Sequence, residues 1–316
     1  MRLTFEQIKS VAFGYEIAEL QGNDIRFFKN THKQTDAWRA LRDVLGDRSQ
    51  QTSGIRLDFI TNSKHIRIET NDRSFELHVD GLFRYRFKET LDTNICDPYG
   101  QPLESARVTL IFPSHARGML RSVELDDGAS LVPYEYSTKL LFIGDSITQG
   151  WNSGIDSFSY AWRVSKMLDA DCRINGIGGA IFHESTFDSI SFQPENVIIA
   201  YGTNDFGYYK TLDELREHSS AFFELIKQEY GNSAKNIFVI SPIWRADFEN
   251  PRPMGSFAEC RSTVITEATS RGFIHIDGTS LVPPMKEYFQ DEFLHPNAEG
   301  FSLYAENLMA QLLKYM

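Results

Sequence analysis

A chain of 316 residues, 41% hydrophobic and 24% charged, exceeds the usual size of one domain and has apolar surface enough for two cores. Its formal net charge of −11, from 32 Lys+Arg against 43 Asp+Glu, disfavours a nucleic-acid partner, which needs a basic face, and disfavours docking on anionic lipid. Cys96, Cys172 and Cys260 form no C-x-x-C pair, so neither a zinc site nor a redox motif is suggested, and the odd count fits a reducing compartment better than a disulfide framework.

The opening stretch, MRLTFEQIKSVAFGYEI, lacks the unbroken apolar run of a secretory signal. No later segment is apolar for long enough to cross a membrane, and a cytoplasmic location is expected. Residues 35–45 (TDAWRALRDVL) suggest a short helix within the first domain. From Ile55 onward apolar residues recur at every second position: Ile55, Leu57 and Phe59, then Ile66 and Ile68, then Phe75, Leu77 and Val79. Asp80-Gly81 offers a tight hairpin turn into LFRYRF. Residues 107–112 and 120–125 read as further strands. Short alternating strands without strong helices between them predict an antiparallel β-sandwich.

The grammar changes near VPYEYS (132–137), which sets the expected domains at 1–135 and 136–316. The runs LLFI (140–143), NVIIAY (196–201), NIFVIS (236–241) and FIHI (273–276) fit strands buried on both faces of a parallel sheet. Helical patterns lie between them. Thr211 with Glu214 three residues on predicts a reciprocal capping pair; Leu215, Phe222, Ile226 and Tyr230 follow as an apolar stripe, and Gly231 stops the helix. After Pro296, Phe301, Tyr304, Leu308 and Leu312 repeat at helical spacing. Alternating strands and helices imply a parallel α/β sheet, whose ligands sit at the carboxyl ends of the strands.

The polar clusters fall at those ends. They are Gly144-Asp145-Ser146-Ile147-Thr148, Asn175-Gly176-Ile177-Gly178-Gly179, Gly202-Thr203-Asn204-Asp205, and the last loop Asp291-Glu292-Phe293-Leu294-His295-Pro296-Asn297. GDSIT, the Gly-rich turn, GTND and the terminal HPN resemble the four blocks of SGNH (GDSL-like) hydrolases, in that family's order, from about Leu140 to the C-terminus. The resemblance implies a three-layer α/β/α flavodoxin-like parallel sheet. It also points to members with an added N-terminal β-sandwich (jelly-roll-like), among which are sugar O-acetylesterases and some acyltransferases.

A serine hydroxyl needs a base to take its proton, and His295 is the expected base for Ser146. A carboxylate must then hold the imidazole in one tautomer. In the family the acid stands three residues before the histidine, where this chain has Glu292; Asp291 keeps the residue type at a spacing of four. Glu292 is preferred because i and i+3 share one face of a turn, with Asp291 the alternative and a backbone carbonyl orienting the ring as a third arrangement. The candidate oxyanion donors are the backbone N–H of Ser146, the backbone N–H of Gly179 and the side-chain amide of Asn204. Gly178 is a rival to Gly179, since the turn is one residue shorter after Asn175 than the family pattern.

Asp145 and Asp205 read as structural hydrogen-bonders. His183, His218 and His275 read as surface or packing residues, and Asp247 and Glu249 as a solvated loop. Trp151, Phe206, Tyr208, Tyr209 and Trp244 follow strand ends and are candidates to line a pocket. No H-E-x-x-H, Cys/His cluster or Walker loop occurs, and the Gly176–Gly179 turn lacks the G-x-G-x-x-G spacing, so no metal or cofactor is expected. The expected activity is removal of small acyl groups, O-acetyl above all, from a carbohydrate or similar small-molecule alcohol by way of an acyl-enzyme. An acyltransferase on the same residues is the alternative, and a glycan-binding protein with an inactive hydrolase half is a third. The sequence carries no signal for an oligomeric state.

Overall fold

The computed structural model describes residues 1–316 as two compact units: Met1–Asn30 with Gln50–Tyr136, and Thr31–Ser49 with Ser137–Met316.

The first unit contains one short helix, α1 (Phe5–Ser10), and eleven strands. These are β1 (Ala12–Phe13), β2 (Ile17–Gln21), β3 (Asp24–Phe28), β4 (Arg56–Thr61), β5 (His65–Thr70), β6 (Phe75–Val79), β7 (Leu82–Phe87), β8 (Thr90–Asn94), β9 (Ala106–Ile111), β10 (Met119–Leu125) and β11 (Val132–Pro133). One antiparallel sheet runs β1-β4-β9-β6-β7, with β11 beside β4; the other runs β2-β3-β10-β5-β8. The period-two pattern works as expected: Leu57, Phe59, Leu77, Val108 and Leu110 of the first sheet share one apolar cluster with Phe27, Ile66, Ile68, Leu120 and Val123 of the second. Asp80 and Gly81 both take positive φ (49° and 74°), the conformation a two-residue hairpin turn requires between β6 and β7.

In the second unit, two helices come from inside the first unit's sequence: α2 (His32–Leu41) and α3 (Asp43–Ser49). Residues 31–49 therefore do not belong to the N-terminal domain in which the sequence expectation placed them. The cause is burial: Trp38 and Leu45 are 2% and 0% exposed, in the core cluster that holds Leu141, Ile143, Ile177 and Phe182. The Thr31 hydroxyl and the Lys33 ammonium both donate to Asp188, at 2.8 and 2.9 Å, tying the start of α2 to the same unit.

Five parallel strands follow, β12 (Thr138–Gly144), β13 (Ala170–Gly176), β14 (Asn196–Ala200), β15 (Asn236–Ile240) and β16 (Ile274–Ile276), in the order β13-β12-β14-β15-β16. The helices are α4 (Ser146–Gln149), α5 (Tyr160–Met167), α6 (Asp205–Tyr208), α7 (Leu212–Tyr230), α8 (Phe257–Thr269) and α9 (Ala298–Leu312). This is the α/β/α arrangement of a parallel sheet between helices. The capping pair on α7 is present: the Glu214 N–H donates to the Thr211 hydroxyl at 3.1 Å and Glu214 Oε2 accepts the Thr211 N–H at 3.3 Å. The order reverses between β13 and β14, on either side of β12, so the carboxyl end of β12 lies at a switch point where ligands bind in open sheets. No helix is long and apolar enough to cross a membrane.

Candidate active site

Ser146 is the first residue of α4, straight after β12. Asp145 caps that helix: its Oδ1 accepts the Ile147 N–H at 2.9 Å. The chain turns sharply here because its neighbours are small. A Cβ at Gly144 would lie 2.0 Å from the Thr148 hydroxyl, and one at Gly176 would lie 2.3 Å from the Gln149 nitrogen. Gly150, at φ +91°, ends the helix after one turn.

His295, 149 residues later, arrives on the last loop, and Ser146 Oγ lies 2.8 Å from its Nε2. On the far side of the ring, Nδ1 lies 2.6 Å from Asp291 Oδ2. The other oxygen of Asp291 accepts the backbone N–H groups of Phe293, Leu294 and His295 at 3.0, 2.8 and 3.0 Å. Partial burial works against the charged form of Asp291. The Leu294 N–H, the His295 ring and the remaining N–H donors outweigh it and hold the carboxyl below its ordinary value.

The carboxylate that the structure places beside the His295 ring is therefore Asp291, the alternative of the sequence expectation, and not Glu292, the preferred one. Glu292 is exposed, has φ +52° and makes no bond to His295, because the loop is not a helical turn in which i and i+3 share a face. It is pinched instead by a bridge between Phe289 and Pro296, with Asp291 folded back over three successive amides.

The donors around Ser146 separate into used and open. The Gly178 N–H, on the rival of Gly179 in the sequence expectation, donates to Gln149 Oε1 at 2.8 Å. The Gly179 N–H, on a residue with φ +86°, and the Ser146 N–H at the helix start donate to no protein acceptor. Asn204 uses one amide hydrogen on the Ala180 carbonyl at 3.0 Å, which fixes the side chain and leaves the second. Gln149 was not singled out by sequence; as a polar residue 1% exposed in a one-turn helix, it carries a signal that only burial makes visible.

The flanking carboxylates brace loops. Asp205 accepts the Phe182 N–H at 2.8 Å and the Gly202 N–H at 3.0 Å, tying the GTND loop to the chain after the Gly-rich turn. Asp247 is no solvated residue: it chelates buried Arg245, whose Nη1 donates to the Thr203 carbonyl at 2.7 Å. Burial pushes the Asp145 and Asp205 carboxyls up to about 7, over the opposing pull of their N–H donors. An aspartate raised from its ordinary value near 4 stabilises the fold while protonated; the contribution is complete below about pH 4 and is lost as pH rises through about 7. Asp145→Asn keeps the cap acceptor and removes the ionisation, so the variant should gain on the wild type in thermal melts run from about pH 4 to about pH 8. A stability difference that does not change with pH contradicts this.

Of the aromatic candidates, Trp151 and Tyr208 are half-buried, and the Trp151 ring centroid is 6.3 Å from that of His295. Trp244 packs on Phe289 with centroids 4.9 Å apart. Phe206 and Tyr209 are core residues, 0% and 5% exposed. His183, Glu184 and His218 bring their ligand atoms within 4.8 Å of one another. The two imidazoles stack at 4.4 Å with 22° between their planes, and lone pairs lying in near-parallel planes do not converge on one ion.

The site thus joins a hydroxyl, an imidazole and a carboxylate in series beside open N–H donors, the arrangement that activates an oxygen nucleophile toward a carbonyl. The family described as GDSL-like lipase/acylhydrolase matches residues 142–303, just over half of the chain. A sequence comparison with curated proteins gives no match. Among solved structures, the salicylyl-acyltransferase SsfX3 from a tetracycline biosynthetic pathway is similar at TM-score 0.80 and 19% identity, over 95% of this chain and 94% of that one. A protein described as a GDSL-like lipase from Bacteroides ovatus follows at TM-score 0.75 and 15% identity, over 100% and 98%. A family two carbohydrate esterase from Cellvibrio japonicus gives TM-score 0.70 and 14% identity, over 98% and 96%. At such identities the likeness is one of fold, and it extends over both units. The chain belongs to the GDSL-like lipase/acylhydrolase family and is an esterase of that kind.

Proposed function

We propose that the protein removes small acyl groups, O-acetyl above all, from a carbohydrate or similar alcohol through an acyl-enzyme on Ser146. The observation that carries the reading is the unbroken chain from Ser146 Oγ through His295 to Asp291, at 2.8 and 2.6 Å. His295 takes the serine proton as Oγ attacks the ester carbonyl, then gives it to the departing alcohol. Water then attacks the acyl carbon as His295 takes its proton, the bond from that carbon to Ser146 Oγ breaks, and His295 returns the proton to Oγ as the acid product leaves. Asp291 holds the Nδ1 proton and balances the imidazolium charge. The N–H groups of Ser146 and Gly179 and the Asn204 amide receive the negative charge that forms on the carbonyl oxygen. The carbohydrate alcohol is supported by the fold shared with proteins named as carbohydrate esterases.

The likeness to a protein named as a salicylyl-acyltransferase favours a second reading, transfer to an alcohol acceptor in place of water by the same residues. Incubation with an acetylated xylo-oligosaccharide, with released acetate and any acyl-acceptor product measured together, decides between them. Acetate release supports hydrolysis, an acylated acceptor in excess of free acetate supports transfer, and neither product from any acetyl ester sinks the proposal. Asn204→Ala should lower kcat by about 10²–10³-fold with little change in KM, because its amide is needed only when charge develops. An unchanged kcat would remove Asn204 from the donor set.

A further inference from the structure

We propose that Arg48, carried in by the helix pair α2–α3, is a positioning residue that charges the Gly178–Gly179 peptide for its work at the ester oxygen. The inference rests on the reading of the Gly179 N–H as an oxyanion donor. Arg48 Nη1 donates to the Gly178 carbonyl oxygen at 2.8 Å. That carbonyl and the Gly179 N–H are the two ends of one peptide group. The chain has no cis peptide, so they point in opposite directions across a planar, conjugated unit. A cation on the oxygen draws electron density from the nitrogen and makes the N–H a stronger donor on the opposite face. The series therefore runs from guanidinium to carbonyl, through the peptide, to N–H and the developing oxyanion.

Three further observations agree. First, Arg48 has no carboxylate to cancel its charge: its other contact is the face of Trp151, 5.7 Å from the ring centroid. Second, the Gly179 carbonyl is gripped in the same way by Arg42 Nη2 at 3.2 Å, and Arg42 lies over Tyr208 at 5.6 Å. Third, the space is shaped for this: a Cβ on Gly179 would lie 3.1 Å from Arg48 Nη1 and 3.4 Å from Arg42 Nη2. Two guanidinium groups on consecutive carbonyls, in a chain whose net charge is −11, fix the loop and place positive charge behind it. A neutral donor would hold the loop as well; a cation polarises the peptide more strongly.

The test is chemical rescue. Arg48→Ala, assayed on p-nitrophenyl acetate, should lose about tenfold in kcat with KM within about twofold, as expected for charge felt only in the transition state. Methylguanidinium added to the variant should restore much of kcat, and methylurea, its neutral counterpart, should not. Arg48→Lys, which keeps the charge on a slightly shorter side chain, should keep kcat within about threefold of the wild type, and Arg48→Gln, which keeps a donor without the charge, should lose about tenfold; this pair serves if the alanine variant does not fold. Equal rescue by methylguanidinium and methylurea, or an unchanged kcat in Arg48→Ala, overturns the inference. Asn204→Ala run alongside separates the two levels: a large loss there with none in Arg48→Ala removes only the role of Arg48, whereas no loss in either removes the oxyanion reading itself.

Discussion

Ser146→Ala is expected to lower kcat on acetyl esters by roughly 10⁵–10⁶-fold while the fold and its melting temperature stay near the wild type. On the proposed mechanism the loss is large because the hydroxyl is the atom that bonds to the acyl carbon, and His295 and Asp291 act through it. With the hydroxyl gone, the imidazole at 2.8 Å has no proton to take, and the open donors stabilise an attack that does not occur. The residual rate is that of water attacking an ester held beside those donors. Stability should change little, since the helix is capped by Asp145 and the Ser146 side chain bonds only to His295. Steady-state kinetics with a thermal melt on the same sample checks both halves. A variant that keeps more than about a hundredth of the wild-type rate would mean that another group attacks the ester.

Asp291→Asn should lower kcat by about 10⁴-fold, and Glu292→Gln should leave it within about twofold. An asparagine placed at Asp291 can still accept the three backbone N–H groups of the loop, so the geometry survives. What it loses is the negative charge facing His295 Nδ1 at 2.6 Å, which on the proposed mechanism favours the tautomer with Nε2 free toward Ser146. The amide can turn its NH₂ toward Nδ1 and hold the ring in the wrong tautomer. Since its hydrogen bonds keep the Asp291 carboxyl below its ordinary value, that carboxylate stays charged across the neutral and mildly acidic range. The acid limb of the activity profile therefore does not report Asp291. Glu292 points its backbone into the left-handed region and its side chain makes no bond to the ring. A reversed order, with Glu292→Gln the damaging variant, would show that the loop rearranges when substrate binds.

Much of this was legible in the sequence because the signals were local. The runs at 140–143, 196–201 and 236–241 are buried on both faces and announce parallel strands by composition alone. Thr211 and Glu214 announce a helix start by chemistry that spans three residues. Strands β2 (IAELQ) and β8 (TLDTN) gave no such signal, since both are edge strands with exposed, polar faces. The membership of residues 31–49 was also hidden. Trp38 and Leu45 look like core residues of whatever surrounds them, and only the tertiary fold shows that the surroundings are Leu141 and Ile177, far on in the chain.

The site divides along the same line. Ser146, Gly179, Asn204 and His295 stood out as candidates because each follows a buried strand or precedes a helix, and the structure brings Ser146 and His295 within 2.8 Å. The choice between Asp291 and Glu292 could not, since it turns on one φ angle and a bridge between Phe289 and Pro296. Arg48 and Arg42 meet their carbonyls across separations of 130 and 137 residues, with no motif to mark them. Phe206 and Tyr209 sat at the right strand end for a pocket but belong to the core, where Tyr209 donates its hydroxyl to the Phe182 carbonyl.

Labelling with a fluorophosphonate, followed by mass spectrometry of the digested protein, bears most directly on the convergence of these four loops. The adduct should appear on the peptide holding Ser146 and vanish in Ser146→Ala. It should form far more slowly in His295→Ala, where nothing takes the hydroxyl proton. An adduct on some other residue, or labelling of Ser146 at the same speed without His295, would contradict the account.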